Sequence, residues 1–137
     1  MKRGLDGYWV GEMTYTKKDG TKRREHMVLE FYDCTRFGKT KAFLYRERRR
    51  KKGESGEEKV SCARIPVKGE SLQWPSFRGK GAIFVVLGGR EPSGKLFEIT
   101  LRAGSHERLY GSFLYLKNPS NKAKIEFHRK IEGISYS

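Results

Sequence analysis

The sequence has little of what metal or nucleophilic catalysis requires. It holds 3 histidines and 2 cysteines in 137 residues. Cys34 and Cys62 stand at a spacing that matches no metal-ligand motif, and His26, His106 and His128 are scattered along the chain. No serine sits in a nucleophile elbow, no acidic pair stands beside a base, and no glycine-rich loop precedes a helix. The chain is therefore expected to be no enzyme and to need neither a metal nor another cofactor. The cysteines lie among residues that alternate like strands, which predicts buried thiols, with one disulfide as the alternative.

Long apolar runs are absent too. No window approaches the ~18 apolar residues of a membrane span, and Met1-Lys2-Arg3-Gly4-Leu5 has no apolar signal region, so a cytoplasmic protein without a membrane span is expected. Negative charge is scarce. Lys and Arg total 30 against 16 Asp and Glu, for a net charge of +14, and the pI is near 10.0. Such a field attracts polyanions whatever the fold. Apolar residues reach 36% of the chain and no stretch has a helical period, whereas 7 Tyr, 8 Phe and 16 Gly suit short strands and tight turns.

The most informative stretch is Gly7-Tyr8-Trp9-Val10-Gly11-Glu12-Met13-Thr14-Tyr15-Thr16, read as a first strand. Alternation puts Trp9, Gly11, Met13 and Tyr15 on an inner face. Asp19-Gly20 turns the chain into a second strand with Met27, Leu29 and Phe31 on one side. A third strand places Ala42, Leu44 and Arg46 opposite Phe43, Tyr45 and Glu47. A fourth alternates Val60, Cys62 and Arg64 with Ser61, Ala63 and Ile65 and is expected to stop near Pro66. A weaker strand is expected around Leu72 and Trp74. The run Ala82-Ile83-Phe84-Val85-Val86-Leu87 is apolar on both faces and reads as the most buried strand. Phe97, Ile99 and Leu101 share one face of a further strand and Leu109, Gly111, Phe113 and Tyr115 one face of the next, while in the last strand Ala123, Ile125, Phe127 and Ile131 face in, with Arg129 on the inward set.

The chain thus reads as one all-β domain over 1–137, with a basic hairpin tip near 46–58. About 8–10 strands in successive hairpins most simply close into an antiparallel up-and-down β-barrel, because closure removes both sheet edges. A sandwich is the competing architecture.

Gly7-x-Trp9 on the first strand, with Arg129 near the end of the last, resembles the calycin superfamily, the lipocalin and fatty-acid-binding barrels. The resemblance implies a structural plug in which Arg129 covers the Trp9 indole at the closed end. The closing hairpin, Leu109 to Phe113 and Ile125 to Arg129, also looks like that of small bacterial barrels that sense cyclic oligonucleotides in antiviral (antiphage) defence. Those barrels follow transmembrane helices that this sequence lacks, so their membrane-disrupting role is not expected here.

Candidate binding residues follow from charge and alternation. Lys22, Arg23 and Arg24 beside the first turn, and Arg48, Arg49, Arg50, Lys51 and Lys52 in the basic block, are expected to contact phosphates at one mouth of the barrel. Tyr15, Arg46, Arg64, Trp74, Arg102, Tyr110 and Tyr115 are candidate ligand contacts inside it, since an inward arginine needs an anion or water. For each of them, an outward orientation is the alternative. The leading expectation is a non-catalytic binder of a phosphate-rich anion, either a nucleotide messenger inside the barrel or single-stranded nucleic acid across its basic mouth. The alternatives are a lipocalin-like carrier of a small apolar or carboxylate ligand and a basic module that docks an acidic protein partner.

Overall fold

The computed structural model describes residues 5–32, 34, 38–49, 60–71, 84–105 and 107–130. They form eight strands: β1 (Gly7–Thr16), β2 (Lys22–Tyr32), β3 (Gly38–Arg49), β4 (Val60–Ser71), β5 (Phe84–Arg90), β6 (Leu96–Ser105), β7 (Arg108–Tyr115) and β8 (Ala123–Arg129). Each pairs antiparallel with the next, and β8 returns to β1, which closes an up-and-down barrel and rules out a sandwich. Closure leaves no strand of the described sheet without two neighbours.

The apolar sets of the alternating strands form the inner face. Trp9 and Met13 on β1, Met27, Leu29 and Phe31 on β2, and Ala42 and Leu44 on β3 are all buried. So are Phe97, Ile99 and Leu101 on β6, Leu109 and Phe113 on β7, and Ala123, Ile125 and Phe127 on β8. On β5, Val85 and Leu87 are buried, but Val86 is only half-buried and Gly88 is exposed, so this strand has an outer face like the others.

Pro66 does not end the fourth strand, as its sequence position suggests. β4 runs through it to Ser71, because the ladder to β5 begins only at Val67, paired with Gly89. Pro66 lies opposite Phe43 on β3, one residue before that ladder, so it has no β5 partner on its other side. The expected strand around Leu72 and Trp74 lies outside the described residues, as does Ile131.

The β3–β4 hairpin outruns its neighbours. The β2–β3 ladder ends at Met27 and Arg46, while β3 continues against β4 to Arg49 and Val60. Above these points the hairpin is unpaired on both sides, an arm rising from the barrel rim.

Gly11 and Gly69 are inward positions where a neighbouring backbone comes very close. A Cβ at Gly11 would collide with the Glu126 carbonyl on β8, and one at Gly69 with the Val86 carbonyl on β5. Both are contacts that a side chain would forbid, and such approaches let a small barrel bend tightly.

The two mouths and the outer face

The up-and-down order puts the β1–β2, β5–β6 and β7–β8 turns and the Arg49 end of β3 at one rim and Leu5 at the other. The end near the N-terminus is plugged. Leu5 is buried, and its carbonyl accepts a 2.9 Å hydrogen bond from the Trp9 indole Nε1. The Arg129 guanidinium lies over that indole, 4.2 Å from its centroid, and donates to the Asp6 carbonyl at 3.1 Å. Trp9 and Arg129 are register partners on β1 and β8, so the pairing of first and last strands creates the stack.

The opposite rim holds the polar cluster. Arg46 points inward from β3 and is buried. It forms a 2.8 Å ion pair with Glu25 of β2 and a second ion pair with Glu91, which follows β5. Tyr115 of β7 accepts a hydrogen bond from Arg46 at 3.2 Å and donates one to Glu91 at 2.9 Å. The guanidinium also stands 5.1 Å from the Phe113 ring centroid. Burial works against the Arg46 charge, but the hydrogen bonds to Glu25 and Tyr115 outweigh it and hold the arginine firmly protonated. Burial likewise pushes the Tyr115 phenol up. The tight turn that closes on Glu91, with Gly94 donating to its carbonyl at 2.8 Å and Glu91 to the Lys95 carbonyl at 2.9 Å, fixes the acid in place.

Arg46 was expected to hold a ligand anion. The anions it holds are the protein's own carboxylates. Neither acid was among the candidates, yet the signal was present, because stepping back two residues from Met27 reaches Glu25 and stepping on from Val85, Leu87 and Gly89 reaches Glu91. Tyr15 also faces inward at this rim and is half-buried against the core.

Three other interior candidates, Arg64, Arg102 and Tyr110, face outward. Arg64 is exposed because Ala63 and Ile65 beside it take the inner positions. Arg102 and Tyr110 are exposed for the same reason, next to Leu101 and Leu109. They are register partners on the outer surface, with Arg102 5.2 Å from the Tyr110 ring centroid. Trp74, Arg50, Lys51 and Lys52 lie outside the described residues. Lys22, Arg23 and Arg24 are exposed at the rim, and the backbones of Arg48 and Arg49 belong to the rising arm. Cys62 is exposed, not buried, because it falls on the outer set of β4, and Cys34 is half-buried; both are thiols.

Sequence reasoning also missed a cluster on the outer face of β2, β3 and β4. Tyr32 stacks on Phe43 with centroids 4.9 Å apart and planes 17° from parallel, and Arg64 covers the Phe43 ring at 3.7 Å. Arg64 Nε donates to the Tyr45 hydroxyl at 3.2 Å, and that hydroxyl donates to Glu30 at 2.7 Å. Hydrogen bonds from Tyr45 and Tyr8 pull the Glu30 carboxyl below its ordinary range. The hydrogen bond to Glu30 in turn raises both phenols. The clue was the aromatic content of outward positions, which a solvated face does not require.

Among the described residues there is no cluster of acids, histidines and cysteines able to hold a metal, and no helix long and apolar enough to cross a membrane. No protein family matches the chain, and no curated protein does. Among solved structures, the chain is similar to a redesigned β-barrel, with 14% identity over 93% of this chain and 92% of that one and a TM-score of 0.50. At that identity the likeness speaks for the barrel fold alone.

Proposed function

We propose that this protein is a non-catalytic binder of single-stranded nucleic acid that works from the outside of its barrel and from its basic rim. The observation that carries this reading is the pairing of Arg46 with Glu25 and Glu91. A nucleotide entering that mouth would have to displace two carboxylates from the arginine meant to receive it. The net charge of +14 is therefore left to the surface, and Lys22, Arg23 and Arg24 stand at the rim beside the rising β3–β4 arm. An apolar carrier would need room inside a barrel where Met13, Met27, Phe97 and Phe113 belong to one buried apolar core. We also read the barrel as calycin-like, and the Trp9–Arg129 stack at the plugged end supports that kinship.

The test is fluorescence anisotropy of a labelled single-stranded oligonucleotide across a salt series. Surface contact with phosphates predicts log K falling linearly with log salt, by about 0.7 per phosphate engaged. The absence of binding at low salt, or affinity independent of salt, would overturn the reading.

A further inference from the structure

We propose that the outer face of β2, β3 and β4 carries a nucleotide subsite in which Tyr32 receives a base by stacking and Lys41 with Lys68 hold the adjoining phosphate. The subsite rests on the reading of the chain as a single-strand binder and gives it a place.

Three observations converge on it. First, Tyr32, Phe43 and Arg64 form a stack of planar groups running across three adjacent strands, with Phe43 on the middle one. Its orientation is set before any ligand arrives, because Arg64 is held by Tyr45 and Tyr45 by Glu30. Such a platform accepts any base, since every base has a π-face. Phe43 is covered by its two neighbours, so a base extends the stack at an end.

Second, Lys41 is the register partner of both Tyr32 on β2 and Lys68 on β4. The three residues form one row across the sheet, spaced by about 4.8 Å per strand. Like charges directly opposite one another destabilise a sheet. Lys41 and Lys68 are both exposed, and neither forms an ion pair with a described residue. A phosphate between them removes the repulsion, and the strand that leaves it toward β2 crosses Tyr32 in the same row, where its base takes the ring face turned away from Phe43.

Third, the subsite leads onto the arm. β3 continues from Lys41 past Phe43 and Tyr45 to Arg49, roughly 26 Å at the usual strand rise. Over the last part of that path β4 has no β5 neighbour to crowd the strand. A single strand anchored at Lys41 and Lys68 therefore has a track toward the basic rim.

The experiment compares anisotropy of labelled dT12 on the native chain, Tyr32→Leu, the double variant Lys41→Gln with Lys68→Gln, and the rim variant Lys22→Gln with Arg23→Gln and Arg24→Gln. Tyr32→Leu is expected to lose about tenfold in affinity with the salt slope unchanged, and the double-lysine variant to lower the slope by about 0.7. If both bind like the native chain while the rim variant weakens, the subsite is wrong and the surface reading stands. If the native chain fails to bind dT12, both fall. An oligonucleotide carrying 5-bromouracil supplies a readout that does not depend on variants folding. A photocrosslink to Tyr32 supports the subsite, and crosslinks confined to other residues overturn it.

Discussion

Arg46 and Glu25, two residues of the inner face near one rim, form a 2.8 Å ion pair on adjacent strands. Glu91 joins the same guanidinium from the β5–β6 turn. The cluster ties together strands β2 and β3, that turn and, through Tyr115, strand β7. It therefore clasps the rim from several sides. The Arg46 Nε is buried without a partner among the described residues, so the clasp is not fully satisfied even in the closed barrel.

Replacing Arg46 by Met is expected to destabilise the fold by about 3–5 kcal/mol, because it strands two carboxylates in a largely buried site. The triple change Arg46→Met, Glu25→Gln and Glu91→Gln removes the charges together and is expected to recover a substantial part of that loss. Urea unfolding of the two variants decides it. Equal losses would mean that the ion pairs contribute little.

Gly11→Ala is expected to cost about 3 kcal/mol or more, or to prevent folding, because the added methyl meets the backbone of β8 and not a movable side chain. Gly20→Ala is the control. It faces open space, so its cost comes only from the positive φ of 87° at the β1–β2 turn. Thermal unfolding should place Gly11→Ala far below Gly20→Ala.

Thr40 is wholly buried on β3, and its hydroxyl has no partner among the described residues. Thr40→Val keeps the branched shape and removes the stranded group. It is expected to raise stability by about 1 kcal/mol, read as a higher urea midpoint with an unchanged slope.

Much of this fold was legible because apolar residues alternate with polar ones along nearly every strand. Trp9 and Phe127 could be set inside on that pattern alone. The pattern weakened where the pairing of a third strand mattered. Pro66 reads as a stop, and only the late start of the β4–β5 ladder shows why it is tolerated. Arg64, Arg102 and Tyr110 were ambiguous for a related reason. An arginine or tyrosine suits either side of a barrel wall, and its side follows only from the register of the whole strand. Glu25 was missed because its nearness to Arg46 depends on the β2–β3 register, and Glu91 because it lies beyond β5 and meets Arg46 only in the folded barrel. The outer Tyr32–Phe43–Arg64 stack likewise draws one residue from each of three strands.

Stability should fall at both ends of the pH range, and Glu30 links the two limbs. Its folded pKa lies below the ordinary value, so the stability it contributes is complete above about 4.3 and is lost as pH falls through the lowered folded value. The Tyr45 and Tyr8 phenols are raised through their hydrogen bonds to Glu30, and Tyr115 is raised by burial. Their contribution is complete below about 10 and is lost as pH rises through the raised folded values. Glu30→Gln should therefore reduce the acid limb, leaving the part due to Asp19, whose hydrogen bond from the Thr21 backbone also lowers its carboxyl, and reduce the alkaline one, leaving the part due to Tyr115. Urea midpoints against pH for the native chain and this variant test it. A variant whose two limbs match the native chain would show that the Glu30 hydrogen bonds do not couple to folding.

Arg129→Leu isolates the contribution of the plugged end. The change removes a guanidinium from the Trp9 indole face and a 3.1 Å hydrogen bond to the Asp6 carbonyl. A cation–π contact is worth about 0.5–2 kcal/mol and a net hydrogen bond about 1 kcal/mol, so a loss near 2 kcal/mol is expected. Arg129→Lys keeps the charge but loses the planar stack, and should fall between the two. The other indole, Trp74, complicates a direct emission reading. Each variant is therefore measured with Trp74→Phe in the background, and Trp9 emission then reports on the indole alone. Opening of the plug should shift that emission to the red in Arg129→Leu before the barrel unfolds. If emission and stability are both unchanged, the lid over Trp9 is Leu5 and the backbone around it, with the arginine only resting on top.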